Sequence, residues 1–381
     1  MSTHPGITDL GDGKYRVRVY DPRTRGYLQR RVTGVREARR VQAVLKAEVQ
    51  RSDVLVRSGR APTVKDFAEA WRVELRHAPL TAVNVEATLR THIYPALGRT
   101  RVTDVTHNHA LRFVRVLSES DLAVATQAKV DTQARHLFDA VVAEGWREAS
   151  PFARVPRIRA PRSALRRQGE YIPSPTEAMS LIGAARAVGR DDVALFMLLA
   201  LGAGLRGSEV VGLDADALAG GTVVVRQQLL RADGRFYLSA PKTSAGERTV
   251  PLAPIVLDAV MAYRATHAPL AAALPVMDRG REREVRETSL VLSGPHGGPW
   301  QETVAARQVA AFAGRADFPG RVTAHTFRKT FTTILGDAGV PLRVIDAVTG
   351  HESSGLTLGT YTAVTPAGLE RARDAVQDAL A

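Results

Sequence analysis

Two His-x-x-Arg spacings occur in this chain, His109 to Arg112 and His325 to Arg328. With ten His and 46 Arg among 381 residues, about one is expected from composition alone, so the spacing by itself decides nothing. An ordered set says more. In chain order the sequence carries Leu205-Arg206-Gly207-Ser208-Glu209, Ala240-Pro241-Lys242-Thr243, His325-Thr326-Phe327-Arg328, Gly350-His351 and Tyr361. These residue types suit metal-free chemistry on a phosphodiester. Such a reaction needs a nucleophile, a proton donor for the departing oxygen, and positive donors for charge on the non-bridging oxygens. Arg206 and Arg328 fit the last task, because a guanidinium stays charged and offers paired hydrogen bonds to phosphate. Lys242 fits the second, because an ammonium can give up a proton and a guanidinium practically cannot. His325 and His351 are candidates to donate to the phosphate, and His325 also to help deprotonate the nucleophile. Tyr361 fits the first, since a phenol is more acidic than an aliphatic hydroxyl and leaves more readily. Glu209, three residues after Arg206, is placed to orient it by a salt bridge. Taken singly, each has an ordinary reading as a surface arginine, a solvated turn lysine, a structural histidine or a core tyrosine.

In this order, Arg206, Lys242, His325, Arg328, His351 and Tyr361 match six positions of the active-site pattern of the tyrosine recombinase (phage integrase) family, which the third part of the chain resembles. The resemblance implies site-specific cutting and rejoining of DNA through a 3′-phosphotyrosyl intermediate, with neither ATP nor metal, so no cofactor and no metal site are expected. It also implies integration or excision of a phage or mobile element at duplex attachment sites. Further implications are a homotetramer on two duplexes and accessory DNA-bending or directionality proteins as additional partners. Two departures are Lys329, where the family often has His, and a His351-to-Tyr361 step one residue longer than usual. Two alternatives share the features: a catalytically silent DNA-binding regulator, and a type IB topoisomerase-like enzyme that passes strands without exchanging partners.

Several elements must position these groups. On a helix over the His325 segment, His325, Arg328 and Thr332 share one face while Phe327, Phe331 and Ile334 lie on another, roughly 120° away, so the apolar face can anchor the polar one. Upstream, Ser174-Pro175-Thr176-Glu177 is a capping box with Pro at the first helical position, and Val193–Leu201 reads as an apolar helix ending at Gly202-Ala203-Gly204. Thr222–Leu229, Phe236–Ser239 and Arg248–Leu252 read as short strands, with Asp233-Gly234 as one turn, followed by helices to the C-terminus. Thr365-Pro366 opens a terminal helix whose Leu369, Ala372, Val376 and Leu380 form an apolar stripe, destined either for its own domain or for a neighbouring protomer.

The remaining chain divides by character. Residues 1–60 hold 14 Lys/Arg against 6 Asp/Glu. Within them, Lys14, Arg16, Arg18 and Tyr20 share one face of a strand and Tyr15, Val17 and Val19 the other. A second strand over Tyr27–Thr33 and a helix through Ala38, Val41, Leu45 and Val49 complete a small sheet backed by a helix, its basic face free to enter a DNA groove. From 61 to 153 the pattern is helical, opened by the capping box Thr63-Val64-Lys65-Asp66. His107 and His109 there read as surface-loop residues, with no third ligand at metal spacing. The connector 154–170 is basic, with Arg157, Arg159 and Arg162 as candidate DNA contacts. The expected organisation is multidomain and mainly α with small antiparallel sheets. It comprises a basic sheet-plus-helix domain (1–60, arm-type DNA-binding by resemblance), a helical core-binding domain (61–153), a basic linker (154–170) and a mixed α+β catalytic domain (171–381) with a C-terminal tail helix. The chain has no Cys, a formal charge of +13 and a pI near 10.5, which excludes a disulfide scaffold and thiolate chemistry and fits a polyanionic partner. No long apolar run or leader pattern is present, so a cytoplasmic location without a membrane partner is expected.

Overall fold

The computed structural model describes residues 5–21, 26–58, 61–75, 77–160, 170–241, 244–278, 280–350 and 364–381. The chain forms two compact units, Met1–Leu75 with Val85–Pro161, and Arg76–Asn84 with Arg162–Ala381. Among the described residues no helix is long and apolar enough to cross a membrane.

In the first unit, β1 (Ile7–Asp9), β2 (Lys14–Asp21) and β3 (Gly26–Thr33) form an antiparallel sheet in that order. Strict alternation in β2 sends Val17, fully buried, towards α1 (Val35–Ser58), where it meets Ala38 and Leu45 together with Ile7. The helical portion comprises α2 (Val64–Glu74), the part of α3 (Pro79–Thr88) from Val85 on, a single π turn at Leu89–Ile93, α4 (Tyr94–Leu97), α5 (His107–Ser118) and α6 (Val124–Ala143). The side chain of Thr63 caps α2 by accepting from the Asp66 amide. His107 and His109 are helix-start residues of α5, not loop residues: the Thr106 amide donates to His109 Nδ1 at 3.1 Å and closes a capping box. A second surprise lies on α6. Asp131 and Arg135 are buried within its apolar face, and Arg135 donates to Asp131 at 3.0 Å, to the Phe152 carbonyl at 2.7 Å, and to the Val155 and Pro156 carbonyls at 3.1 Å. Asp131 in turn accepts from the Ile158 amide at 3.1 Å. One ion pair thus fixes the path on which the basic connector begins.

The second unit is built around α8 (Asp191–Gly202), buried along its length from Val193 to Gly202. Packed on it are α7 (Pro175–Ala187), α9 (Gly207–Val211), α10 (Pro254–Thr266), α11 (Glu302–Arg315) and α12 (Ala324–Asp337). A helix apolar on every side can be stable only when other elements surround it. Strands β4 (Leu218–Ala219), β5 (Thr222–Val225) and β8 (Arg248–Pro251) make one antiparallel sheet. A second sheet has the order β10-β9-β7-β6, from β6 (Gln228–Ala232), β7 (Arg235–Ser239), β9 (Leu270–Asp278) and β10 (Arg281–Leu290), with β7 and β9 running parallel. Asp233 and Gly234, both at positive φ, make the tight β6–β7 turn. The last helices are α13 (Leu342–Thr349) and α14 (Pro366–Leu380).

Two expectations need correction. The single strand expected over Thr222–Leu229 is two strands in different sheets. The break falls at Arg226-Gln227, where the buried Gln227 amide must find acceptors and donates to the Gly212 carbonyl at 2.9 Å. Residues after β8 are not all helical: β9 and β10 form a long hairpin. Its alternation is muted, because Ala271 and Ala273 on the outer face look like Ala272 on the inner one. The stripe of α14 is committed to its own unit, since Ala372, Val376 and Leu380 are buried in the same apolar core as α8 and α12. Of the two destinations open to that stripe, the single chain uses its own domain.

Candidate active site

Arg206 stands at the N-cap of α9, directly after the tight bend Ala203-Gly204-Leu205 that closes α8. Gly204 has φ +61°, and a Cβ there would lie 2.6 Å from the Phe331 ring, so the bend needs glycine. Glu209, at the third position of α9, accepts from the Arg206 amide at 2.9 Å and from Arg206 Nη1 at 2.7 Å, the orienting contact anticipated from the sequence. On α12, Thr323 caps the helix, Phe327, Phe331 and Ile334 are buried, and a different face carries His325, exposed, and Arg328, almost wholly buried. Arg206, His325 and Arg328 line one cleft of about 890 Å³, together with Glu302, Arg307 and Arg321. Lys242, His351 and Tyr361 lie outside the described residues. Their neighbours are placed: Pro241 and Ser244 on the β7–β8 connection, Gly350 at the end of α13, and Thr365 at the start of α14.

The guanidiniums are held mainly by backbone carbonyls. Arg328 donates through Nη1 to Gly204 and through Nη2 to Thr349, and Arg206 Nη2 donates to Gly350 at 3.0 Å. A third arginine, absent from the ordered set of the sequence, completes the arrangement: Arg248, at the start of β8, donates through Nε to the Val348 carbonyl at 2.8 Å. Consecutive carbonyls at the C-terminal end of α13, from Val348 to Gly350, thus each receive a different guanidinium. Cations are favoured there by the negative end of the helix dipole. Gly350 itself adopts φ +65° and closes α13 in a left-handed cap, its amide donating to the Asp346 carbonyl at 2.8 Å.

Charge is unbalanced at this spot. Arg206 and Arg248 both pair with Glu209, which is 2 % exposed. Burial alone would raise the Glu209 carboxyl, but the hydrogen bond and charge of Arg248, and then the backbone and side-chain hydrogen bonds of Arg206, outweigh it and hold the group below the usual carboxylate range. Burial, followed by the charges of Arg206 and Arg248, pushes Arg328 down to about 9 against a smaller opposing pull from Glu209. Three cations around one carboxylate make a site that an anionic ligand would relieve. Each guanidinium has five N–H donors, and the two carbonyls account for only part of those on Arg328. Among the described residues no group of three or more His, Asp and Glu gathers as a metal site would require.

The edge of the cleft is tied to the end of the connector. Lys329, next to Arg328, pairs with the buried Glu170, Thr330 Oγ1 donates to the Pro173 carbonyl at 2.7 Å, and the Tyr171 amide donates to the Arg321 carbonyl at 3.1 Å. The departure at Lys329 therefore has a local use, since it fastens residue 170 onto the helix that carries His325 and Arg328.

The candidate DNA contacts divide likewise. Lys14, Arg16, Arg18 and Tyr20 do share one face of β2, and the register opposite them adds Thr33, Arg31, Gln29 and Tyr27 from β3. Arg18 sits 4.5 Å over the Tyr27 ring, and Tyr20 meets Tyr27 edge-on at 5.3 Å. The signal for Tyr27, Gln29 and Arg31 is the same alternation, continued in β3. Arg157 and Arg159 are exposed on either side of Ile158, which packs against the helical core. Arg162 lies outside the described residues.

Residues 175–367 match the family model described as the phage integrase family, and residues 64–157 match that of the phage integrase central domain. The chain is 27% identical over 326 residues to the tyrosine recombinase XerC of Halalkalibacterium halodurans, spanning 82% of this chain and 94% of the relative. A XerC from Mesorhizobium japonicum is 31% identical over 176 residues, 46% of this chain and 48% of the relative. Among solved structures, the Tn1549 transposon integrase in complex with transposon right end DNA superposes with a TM-score of 0.61 at 20% identity, covering 81% of this chain and 97% of that one. A lambda integrase dimer bound to a COC′ core site gives 0.60 at 14% identity, covering 98% and 95%. A lambda integrase tetramer bound to a Holliday junction gives 0.58 at 15% identity, covering 94% and 98%.

Proposed function

We propose, since the chain belongs to the phage integrase family of tyrosine recombinases, that it integrates or excises a phage or other mobile element by cutting and rejoining duplex DNA at specific attachment sites. The observation that carries this reading is the cleft in which Arg206, held by Glu209 and the Gly350 carbonyl, and Arg328, held by two carbonyls, stand beside His325, with three guanidiniums gathered around the one Glu209 carboxylate. On this reading the scissile phosphate supplies the missing anion, and its non-bridging oxygens take the donors of the two arginines. The Tyr361 oxygen attacks phosphorus as its proton passes to His325, the bond to the 5′ oxygen breaks, and Lys242 gives that oxygen its proton. A phosphoester is exchanged for a phosphoester, so the reverse attack by a 5′ hydroxyl rejoins strands with no outside energy source. His325 and His351 serve as further donors at the phosphate. A tetramer on two duplexes is the assembly such strand exchange requires, and a lambda integrase tetramer on a Holliday junction is among the structures of similar fold. A two-site plasmid assay tests the reading. Recombinant junctions between paired attachment sites are expected from the purified protein. Relaxation of supercoils without junctions would instead indicate a topoisomerase-like enzyme, and site occupancy with neither product a DNA-binding regulator.

The mobile-element part of the reading is supported by the N-terminal sheet. Arg16 and Arg31 face each other directly across β2 and β3, an arrangement that costs stability in isolation and that a polyanion would favour. With the aromatic pair at one end and Lys14 at the other, this two-strand face carries the charge to lie in a duplex groove. Deleting residues 1–60 is accordingly expected to lower the slope of log affinity against log salt on arm-bearing DNA, by roughly one unit for each phosphate that the sheet neutralises. Core-site cleavage should persist. Equal slopes for the full chain and the 61–381 fragment would remove the sheet from the DNA interface.

A further inference from the structure

Arg248 is one of 46 arginines, yet its environment differs from that of a surface residue: its side chain is 4% exposed. A guanidinium removed from water at the start of a strand is costly unless its donors are used. Here the donors reach three separate elements. Nη2 and Nη1 form a fork on Glu209 at 2.8 and 3.2 Å. Nε takes the Val348 carbonyl at 2.8 Å, and Nη1 also takes the Gly246 carbonyl at 3.0 Å. Glu209 is the group that holds Arg206, Val348 is two residues before Gly350-His351, and Gly246 belongs to the connection that carries Lys242. The fit around this centre is tight. A Cβ on Gly350 would lie 2.8 Å from the Ala245 carbonyl and 3.2 Å from Arg248 Nη1.

We propose, on the recombinase reading given above, that Arg248 is a positioning residue that sets Arg206 through Glu209 for contact with the scissile phosphate. It does not touch the phosphate. An apolar residue would fill a buried strand position at less cost than an ion pair, and replacing such pairs by apolar groups often leaves stability unchanged or improved. What an apolar residue cannot do is fix the Glu209 carboxylate in the plane that Arg206 needs. Without Arg248, Glu209 keeps one partner instead of two, and Arg206 no longer has a fixed orientation.

The test uses the full chain and a suicide substrate nicked beside the cleavage site, so that covalent adduct accumulates. Arg248→Met is expected to slow adduct formation at saturating DNA by about 100-fold, the usual effect of misplacing one stabilising donor, with duplex affinity within about 3-fold of wild type. Arg248→Lys should recover part of the rate, because one ammonium reaches Glu209 but cannot fork. A methylphosphonate at the scissile position separates positioning from general damage. Its non-bridging oxygen bears no charge, so it depends less on Arg206, and the Arg248→Met defect should shrink at least about 10-fold on it. A defect equally large on phosphate and methylphosphonate in both variants overturns the proposal, as does a wild-type rate in Arg248→Met. Should Arg248→Met fail to fold, Glu209→Gln and Arg248→Lys must show the same substrate-dependent defect for the proposal to stand. Wild-type protein that forms no adduct at all would overturn the recombinase reading itself, a result distinguishable from adduct formation indifferent to residue 248.

Discussion

Replacing Tyr361 by Phe is expected to abolish the covalent protein–DNA adduct while leaving duplex binding nearly unchanged. The substitution removes one oxygen, and an interface dominated by phosphate contacts is little weakened by it. The nucleophile, in contrast, has no substitute in an ester-exchange reaction. The placement of the flanking chain supports choosing this tyrosine. On one side the chain leaves α13 at Gly350, whose carbonyl and the two before it are held by Arg206, Arg328 and Arg248. On the other side it enters α14 at Pro366, anchored by the Thr365 cap and by Ala372, Val376 and Leu380 in the core. Tyr361 is the tyrosine of the stretch between these two anchors. A suicide substrate and a denaturing gel supply the readout. Adduct formed by Tyr361→Phe would move the nucleophile elsewhere.

Much of this arrangement is legible in the sequence where local rules act. Thr63 and Ser174 announce helix starts because a side-chain oxygen three residues before an acidic residue satisfies orphan amides, and both do so here. The faces of β2 follow from period-two alternation with unmistakably different residues on each side. Arg206, His325 and Arg328 stand out when their order is read together with the family resemblance, and the structure brings these three into one cleft. Arg248 falls outside the ordered motifs, although a signal for it exists. It is in phase with Val250 and Leu252 on the buried side of its strand, and an arginine on the apolar phase of a strand demands a partner. Asp131 and Arg135 carry the same signal at helical spacing, one turn apart amid Val130, Ala134, Leu137 and Phe138. The β9–β10 hairpin is hidden for the opposite reason. Alanine on both faces erases the alternation, and side-chain packing in the finished sheet decides what intrinsic strand preference cannot.

These buried charges share a physical role that composition does not reveal. Glu209 and Asp131 each bind a guanidinium that then ties down backbone carbonyls, at the end of α13 in one case and at the start of the connector in the other. Apolar packing would bury the same segments with less loss of solvation, but contact between apolar groups is non-directional and does not fix where a carbonyl points. A reaction that depends on donors lying within a few tenths of an ångström of a phosphate oxygen is served better by directional bonds. Arg206, Glu209, His325 and Arg328 thus line the cleft, and behind them Arg248 holds the Glu209 carboxylate that pairs with Arg206.

Arg328→Lys should show how much this geometry is worth. The charge is nominally kept, but the bonds to the Gly204 and Thr349 carbonyls require two nitrogens on one rigid plane. An ammonium can satisfy one carbonyl well and not also present a paired face to phosphate, so cleavage at saturating DNA is expected to fall about 100- to 1,000-fold. The pH dependence should separate the effect of geometry from that of charge. Burial and the charges of Arg206 and Arg248 depress the pKa at this position, to about 9 for Arg328 itself, which leaves the native guanidinium charged at neutral pH. A lysine begins lower, near ~10.4, and the same surroundings depress it in the same direction. A depressed cation is fully charged below its shifted value and is lost as pH rises through that value. Residual activity of Arg328→Lys should therefore decline with rising pH at values where wild type still holds its rate. A single-turnover adduct assay across roughly pH 6 to 9 reads both effects. A variant with the wild-type rate would show that paired donation from residue 328 is dispensable, and one with a uniformly reduced rate and the wild-type pH profile would assign the whole loss to geometry.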